Sequence, residues 1–137
     1  MANSNIELEF HQIKAEEEII LLLNEIRRKS GLDKIQLRAA ASSLHSIYNG
    51  IERILFIILK GKRIIVSQNS RWHLELLEKT AEAELLPEEI IEILKEYMGF
   101  WHFFRHSYGF MIDEELIAPL MDNVSTLLME LKTRLID

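Results

Sequence analysis

From Leu44 to Ile58 the chain places apolar residues at Leu44, Ile47, Tyr48, Ile51, Ile54, Leu55 and Ile58. That three-and-four spacing puts all of them on one side of a helix. Asn49-Gly50 is the one hairpin-type dipeptide in the chain, and it lies inside this stripe. Gly50 therefore reads as a close-packing position, kept although it costs about 1 kcal/mol of helix propensity. Leu, Ile, Glu and Lys dominate, and only two prolines interrupt the pattern. The predicted class is all-α.

The same reasoning divides the rest of the chain. A first helix is expected from about Ile6 to Lys29, with Ile13, Ile20, Leu23 and Ile26 inward. Arg27, Arg28 and Lys29 complement its negative end, and Ser30-Gly31 stops it. The stripe belongs to a long second helix from Asp33 to Lys60, ending at Gly61. Lys62 to Asn69 is ambiguous: Arg63-Ile64-Ile65-Val66 has the composition of a short extended piece, and Ser67 to Ser70 that of a loop leading into an N-cap. A third helix takes Arg71 to Glu84. Pro87 followed by Glu88 and Glu89 marks the start of a fourth, which ends at Gly109. Asp113 caps a fifth, and Pro119 is expected to kink or restart it before Leu127 to Leu135. The expected architecture is an up-down bundle of four main helices plus a shorter one, one domain over residues 1–137.

With 137 residues the chain has enough length to bury a core without staples. Cysteine is absent, which excludes disulfides, a thiol nucleophile and thiolate metal sites, and fits a cytoplasmic setting. Met1 to Phe10 has no basic region followed by an apolar run, and no stretch approaches a membrane span. A formal charge of −6 argues against bulk electrostatic binding of nucleic acid, although Arg53, Lys60, Lys62, Arg63 and Arg71 offer a local basic cluster.

Chemistry concentrates in Trp101-His102-Phe103-Phe104-Arg105-His106-Ser107-Tyr108. On a helix His102 and His106 lie about 40° apart, with Trp101, Arg105 and Tyr108 on an adjacent face. Three readings compete. A pair of histidines four apart is half of many zinc sites, but the glutamate between them and a third ligand are missing. Alternatively, the aromatics form a core or a dimer face, with the polar groups satisfied by hydrogen bonds. The third reading is cleavage of a phosphodiester, an imidazole moving the proton of a ribose hydroxyl and a guanidinium stabilising the charge that develops on phosphorus. RNA supplies its own nucleophile for that reaction, so neither metal nor cofactor is needed.

The segment from Gly99 to Asp113 resembles the signature of the HepT-like toxins of the HEPN superfamily, whose motif is Arg-x4-His-x-Tyr. Tyr48-Asn49-Gly50-Ile51-Glu52-Arg53-Ile54-Leu55 and Trp72-His73-Leu74-Glu75-Leu76-Leu77 resemble further stretches of that family, in order and spacing. The resemblance covers about residues 40 to 120. It implies a homodimeric endoribonuclease whose motifs share one cleft, paired with an MntA-type nucleotidyltransferase antitoxin that adds AMP to the motif tyrosine. His106 matches the catalytic histidine and Tyr108 the modified tyrosine, whereas Trp101 occupies the arginine's place. An indole has one neutral donor and cannot neutralise a phosphorane, so the resemblance implies a chain impaired in catalysis, with Arg105 as auxiliary phosphate contact. The alternative is a non-catalytic helical module that binds a nucleotidyltransferase or a nucleotide.

Independently of the family, residues five apart on a straight helix diverge by about 140°. Position 101 and His106 thus reach one pocket only if the helix is distorted or a second chain contributes. Supporting roles fall to His102 and to Glu52, which is a candidate to orient His106 or Arg105 but is more commonly a solvated charge. His73, beside Trp72, reads as packing, and His11 and His45 have no partner in sequence. Lys62, Arg63 and Arg71 are candidates to guide RNA, or ordinary loop charges.

Overall fold

Five helices account for most of the computed structural model, which describes residues 2–106 and 112–136. They are α1 (Ala2–Ser30), α2 (Lys34–Gly61), α3 (Trp72–Glu82), α4 (Glu88–His106) and α5 (Glu114–Leu135). No strand occurs among the described residues. α3, with 11 residues, is the short member beside four long ones.

α2 is central and packs against each of the other four helices. Its apolar stripe is the reason: Leu44, Ile47, Tyr48, Ile51, Ile54, Leu55 and Leu59 are all buried, while Ile58 at the stripe's end is only half-buried. Asp33 starts the helix with a reciprocal capping box, accepting from the Gln36 amide at 2.8 Å while the Gln36 side chain accepts from the Asp33 amide at 3.0 Å. At Gly50, α1 comes so close that a Cβ would lie 2.7 Å from Ile13 Cγ1. The glycine is thus a packing requirement of the α1–α2 seam.

α1 begins at Ala2, one turn earlier than the apolar pattern predicts, and buries Ile6, Phe10, Ile13, Ile20 and Leu23. A polar tie fixes it to α5, where Asp122 accepts from Asn24 at 3.0 Å, Arg27 at 2.6 Å and Arg28 at 3.0 Å. Burial works against the Asp122 carboxylate, but these bonds and the two guanidinium charges outweigh it and hold its pKa below the ordinary value.

Three boundaries differ from expectation. Residues 62–71 form turns and irregular backbone with no extended pairing. α2 closes with the amides of Arg63 and Ile64 bonding back to Lys60 and Leu59, and Arg63 takes the left-handed position (φ 62°) usually given to glycine. The residue before α3 is Arg71, which provides no side-chain cap; the loop meets the helix start through Asn69, whose side chain accepts from the Arg71 amide at 2.9 Å and whose carbonyl accepts from the Trp72 amide at 3.1 Å. α5 runs unbroken through Pro119, capped by Asp113 as its sequence predicts. Pro119 and Glu115 are both exposed, a position at which water can reach the carbonyl that proline leaves without an N–H, which lessens the cost of continuing.

No helix among the described residues is long and apolar enough to cross a membrane.

Candidate functional site

An open pocket of about 590 Å³ lies where α2, α3 and α4 meet, beside the 62–71 loop. Its apolar wall includes Phe56, Ile57, Trp72 and Trp101, and its polar groups include Asn49, Glu52, Arg53, Gln68, His73 and Arg105. α2 turns Asn49, Glu52, Arg53 and Phe56 toward the pocket by its three-and-four repeat, on a side adjacent to the buried stripe.

Trp101 is at the centre of the arrangement. It is buried, and its indole N–H donates to Asn49 Oδ1 at 2.6 Å. The His45 ring lies parallel to the indole at 5.6 Å between centroids, and the His73 ring is tilted against it at 4.3 Å. The guanidinium carbon of Arg105 sits 5.2 Å from the indole centroid, a cation–π contact made by an exposed side chain. The Asn49 amide also approaches His45 Nδ1 at 3.4 Å. Burial, then the Arg105 charge, lower the pKa of His45, so the neutral ring is favoured there.

The second feature is an acid–imidazole pair. Glu52 is 4% exposed, and its two carboxylate oxygens lie 3.0 and 2.9 Å from His73 Nδ1. Burial raises the pKa of Glu52; the hydrogen bond and charge of His73, and the neighbouring Tyr48, pull it back in part. The Tyr48 hydroxyl is buried beside this carboxylate without a hydrogen-bond partner of normal geometry, and burial followed by the Glu52 charge raises its pKa.

The expectations about site residues sort as follows. Trp101, Arg105 and Glu52 line one pocket. Glu52 is neither a solvated charge nor a partner of His106 or Arg105, because the α2–α3 packing buries it and gives it His73. His106 is exposed at the end of α4 and is not among the residues of this pocket; its ring lies 4.3 Å from that of His102. His102 lines a neighbouring recess together with His73, Trp101 and Arg71. The predicted modification site Tyr108, and the predicted helix stop Gly109, fall outside the described residues. Among the described residues no third acid or imidazole joins His102 and His106 in a geometry that would hold a metal ion.

Sequence reasoning assigned His73 to packing and did not single out Asn49 or Gln68. The available signal was that Asn49 and Trp72-His73 each lie in a family-like stretch, whereas Gln68 lies in none. Nothing in the spacing marks Glu52 as its partner, since the two are 21 residues apart on different helices.

A family model described as HepT-like protein matches residues 39–137, from the start of α2 through α5. No curated protein and no solved structure matches the chain.

Proposed function

Because this chain belongs to the HepT-like family of the HEPN superfamily, we propose that it is the toxin of a toxin–antitoxin pair, a metal-independent endoribonuclease that works as a homodimer. The observation that carries the reading is the end of α4, where Arg105 and His106 are consecutive and exposed beside an open, aromatic-walled pocket. In the proposed reaction the His106 imidazole takes the proton of a ribose 2′-OH. The freed oxygen bonds to phosphorus, the bond to the 5′-oxygen breaks, and that oxygen leaves with a proton given back by a protonated imidazole. The products are a 2′,3′-cyclic phosphate and a 5′-hydroxyl. Arg105 balances the charge on the non-bridging oxygens.

Trp101 stands where the family motif has arginine, and loss of such a charge is typically worth about 10²-fold or more in rate. The chain is therefore a weakened nuclease in this reading. Its partner is a nucleotidyltransferase antitoxin that transfers AMP to Tyr108, placing negative charge and bulk where an RNA phosphate approaches.

A second reading, a non-catalytic module that binds a nucleotidyltransferase, is favoured by one observation. Trp101 is built into the wall of the pocket, buried and bonded to Asn49, in the place of a catalytic cation. The two readings separate in one experiment. The Trp101→Arg protein is expected to degrade RNA in EDTA and arrest growth, and the Trp101→Arg/His106→Ala protein to do neither. Intact RNA with folded Trp101→Arg protein selects the scaffold reading.

A further inference from the structure

Cleavage of RNA through its 2′-OH needs two proton movements, one off the attacking hydroxyl and one onto the leaving 5′-oxygen. The motif at the end of α4 supplies one imidazole per subunit, His106. The structure contains another imidazole held as a proton-transfer group would be. Both oxygens of buried Glu52 face His73 Nδ1. When Glu52 is ionised it can only accept, which puts the hydrogen of a neutral ring on Nδ1 and its lone pair on Nε2. Among the described residues no side chain hydrogen-bonds that Nε2.

The ring is also fixed in direction. Its centroid lies 4.2 Å from that of Trp72 and 4.3 Å from that of Trp101, so it packs against both indoles. From there it borders both the main pocket, which holds Arg105, and the recess that holds His102, whose ring touches that of His106. A buried carboxylate is a costly way to anchor a side chain for packing alone, because a neutral partner would meet the same hydrogen bond without desolvating a charge. It is the arrangement expected where a positive charge appears on the ring during the reaction.

Resting on the nuclease reading above, we infer that His73 is the second acid–base group of the site, that Glu52 is its positioning residue, and that a scissile phosphate sits between His73 and Arg105. His73 Nε2 and His106 then divide the two transfers: one removes the 2′-OH proton as the oxygen bonds to phosphorus, and the other gives a proton to the 5′-oxygen as its bond breaks. Each imidazole returns to its starting state by proton exchange with water once the products leave.

The test follows cleavage of an oligoribonucleotide in EDTA by the full chain, in wild-type and Trp101→Arg forms, each with and without His73→Gly. His73→Gly is expected to slow cleavage by about 10²- to 10⁴-fold, and added imidazole to restore a large part of the rate, which it does not do for a lost packing contact. Glu52→Gln is expected to lower kcat with little change in KM. Cleavage that His73→Gly leaves unchanged, or a loss that imidazole does not restore in folded protein, overturns the assignment while the nuclease reading stands. Absence of cleavage by both parent forms removes the nuclease reading and this assignment together. Should His73→Gly fail to fold, the ¹⁵N spectrum of the unsubstituted protein decides: a neutral His73 protonated on Nδ1 supports the assignment, and one protonated on Nε2 overturns it.

Discussion

Asn49 and Gly50 are neighbours on α2, and they face two different kinds of environment. Gly50 meets α1 in a dry seam where a single added carbon would strike Ile13. Asn49, with Glu52 and Arg53 one turn on, meets α3 and α4 across a pocket whose wall is aromatic and whose polar groups bond to one another. At Gly50 the seam depends on close fit, with the Arg53–Glu9 ion pair at 2.9 Å beside it. The pocket depends on matched donors, acceptors and charges. One helix thus serves both as structural spine and as the floor of the site.

Substitutions on the two sides should break in different ways. The largest expected effect is in the seam: Gly50→Val overpacks a buried, β-branched neighbour and is predicted to lower stability by about 3 kcal/mol, read from urea unfolding midpoints. Gly50→Ala should lose less, about 1 kcal/mol, because alanine recovers helix propensity while still meeting Ile13. Ile13→Val should return part of the loss in either background, and strict additivity of the two changes would argue that the seam is looser than described. On the pocket side, Asn49→Ala strands the buried indole N–H of Trp101 and is expected to cost about 2 kcal/mol. Unlike the seam variants, it should also alter tryptophan fluorescence.

Smaller effects separate the charged groups by their pH dependence. The folded state raises the Glu52 pKa, so its contribution is complete below the ordinary value of 4.5 and is lost as pH rises through the raised value. His45 runs the other way. Its pKa is lowered in the fold, so its contribution is present above 6.5 and is lost as pH falls through the lowered value. Glu52→Gln should therefore steepen the rise of melting temperature with pH over the weakly acidic range, and His45→Phe should flatten it. Two variants with parallel curves would show that neither group titrates differently in the folded chain. Arg105→Ala is the smallest stability change expected, at most about 1 kcal/mol for an exposed cation–π contact, even though the proposed chemistry makes it important for cleavage.

The helices were legible because each carries its own information. The α2 stripe, the Asp113 cap and the acids after Pro87 are local patterns that do not depend on what packs where. Pro119 was misread in part: it was expected to kink or restart α5, and the helix does not restart, since the cost of an orphaned carbonyl depends on its exposure, which the fold sets. Glu52 was misread in the same sense. A glutamate on a helix carries no local sign of being buried, and its burial follows from α3 crossing α2 at that turn.

Taken alone, the sequence determined the helical class, the buried stripe of α2 and the close approach at Gly50, and it pointed to the stretch from Trp101 to Tyr108 as the place to look for chemistry. These follow from periodicity and residue type, which act over a few turns of chain. Tertiary structure decided that Trp101 is a wall held by Asn49, that His73 rather than His106 receives the Glu52 carboxylate, and that Arg105 shares that pocket. Such pairings join residues on separate helices, and their energies depend on crossing geometry and desolvation, which no spacing along the chain encodes.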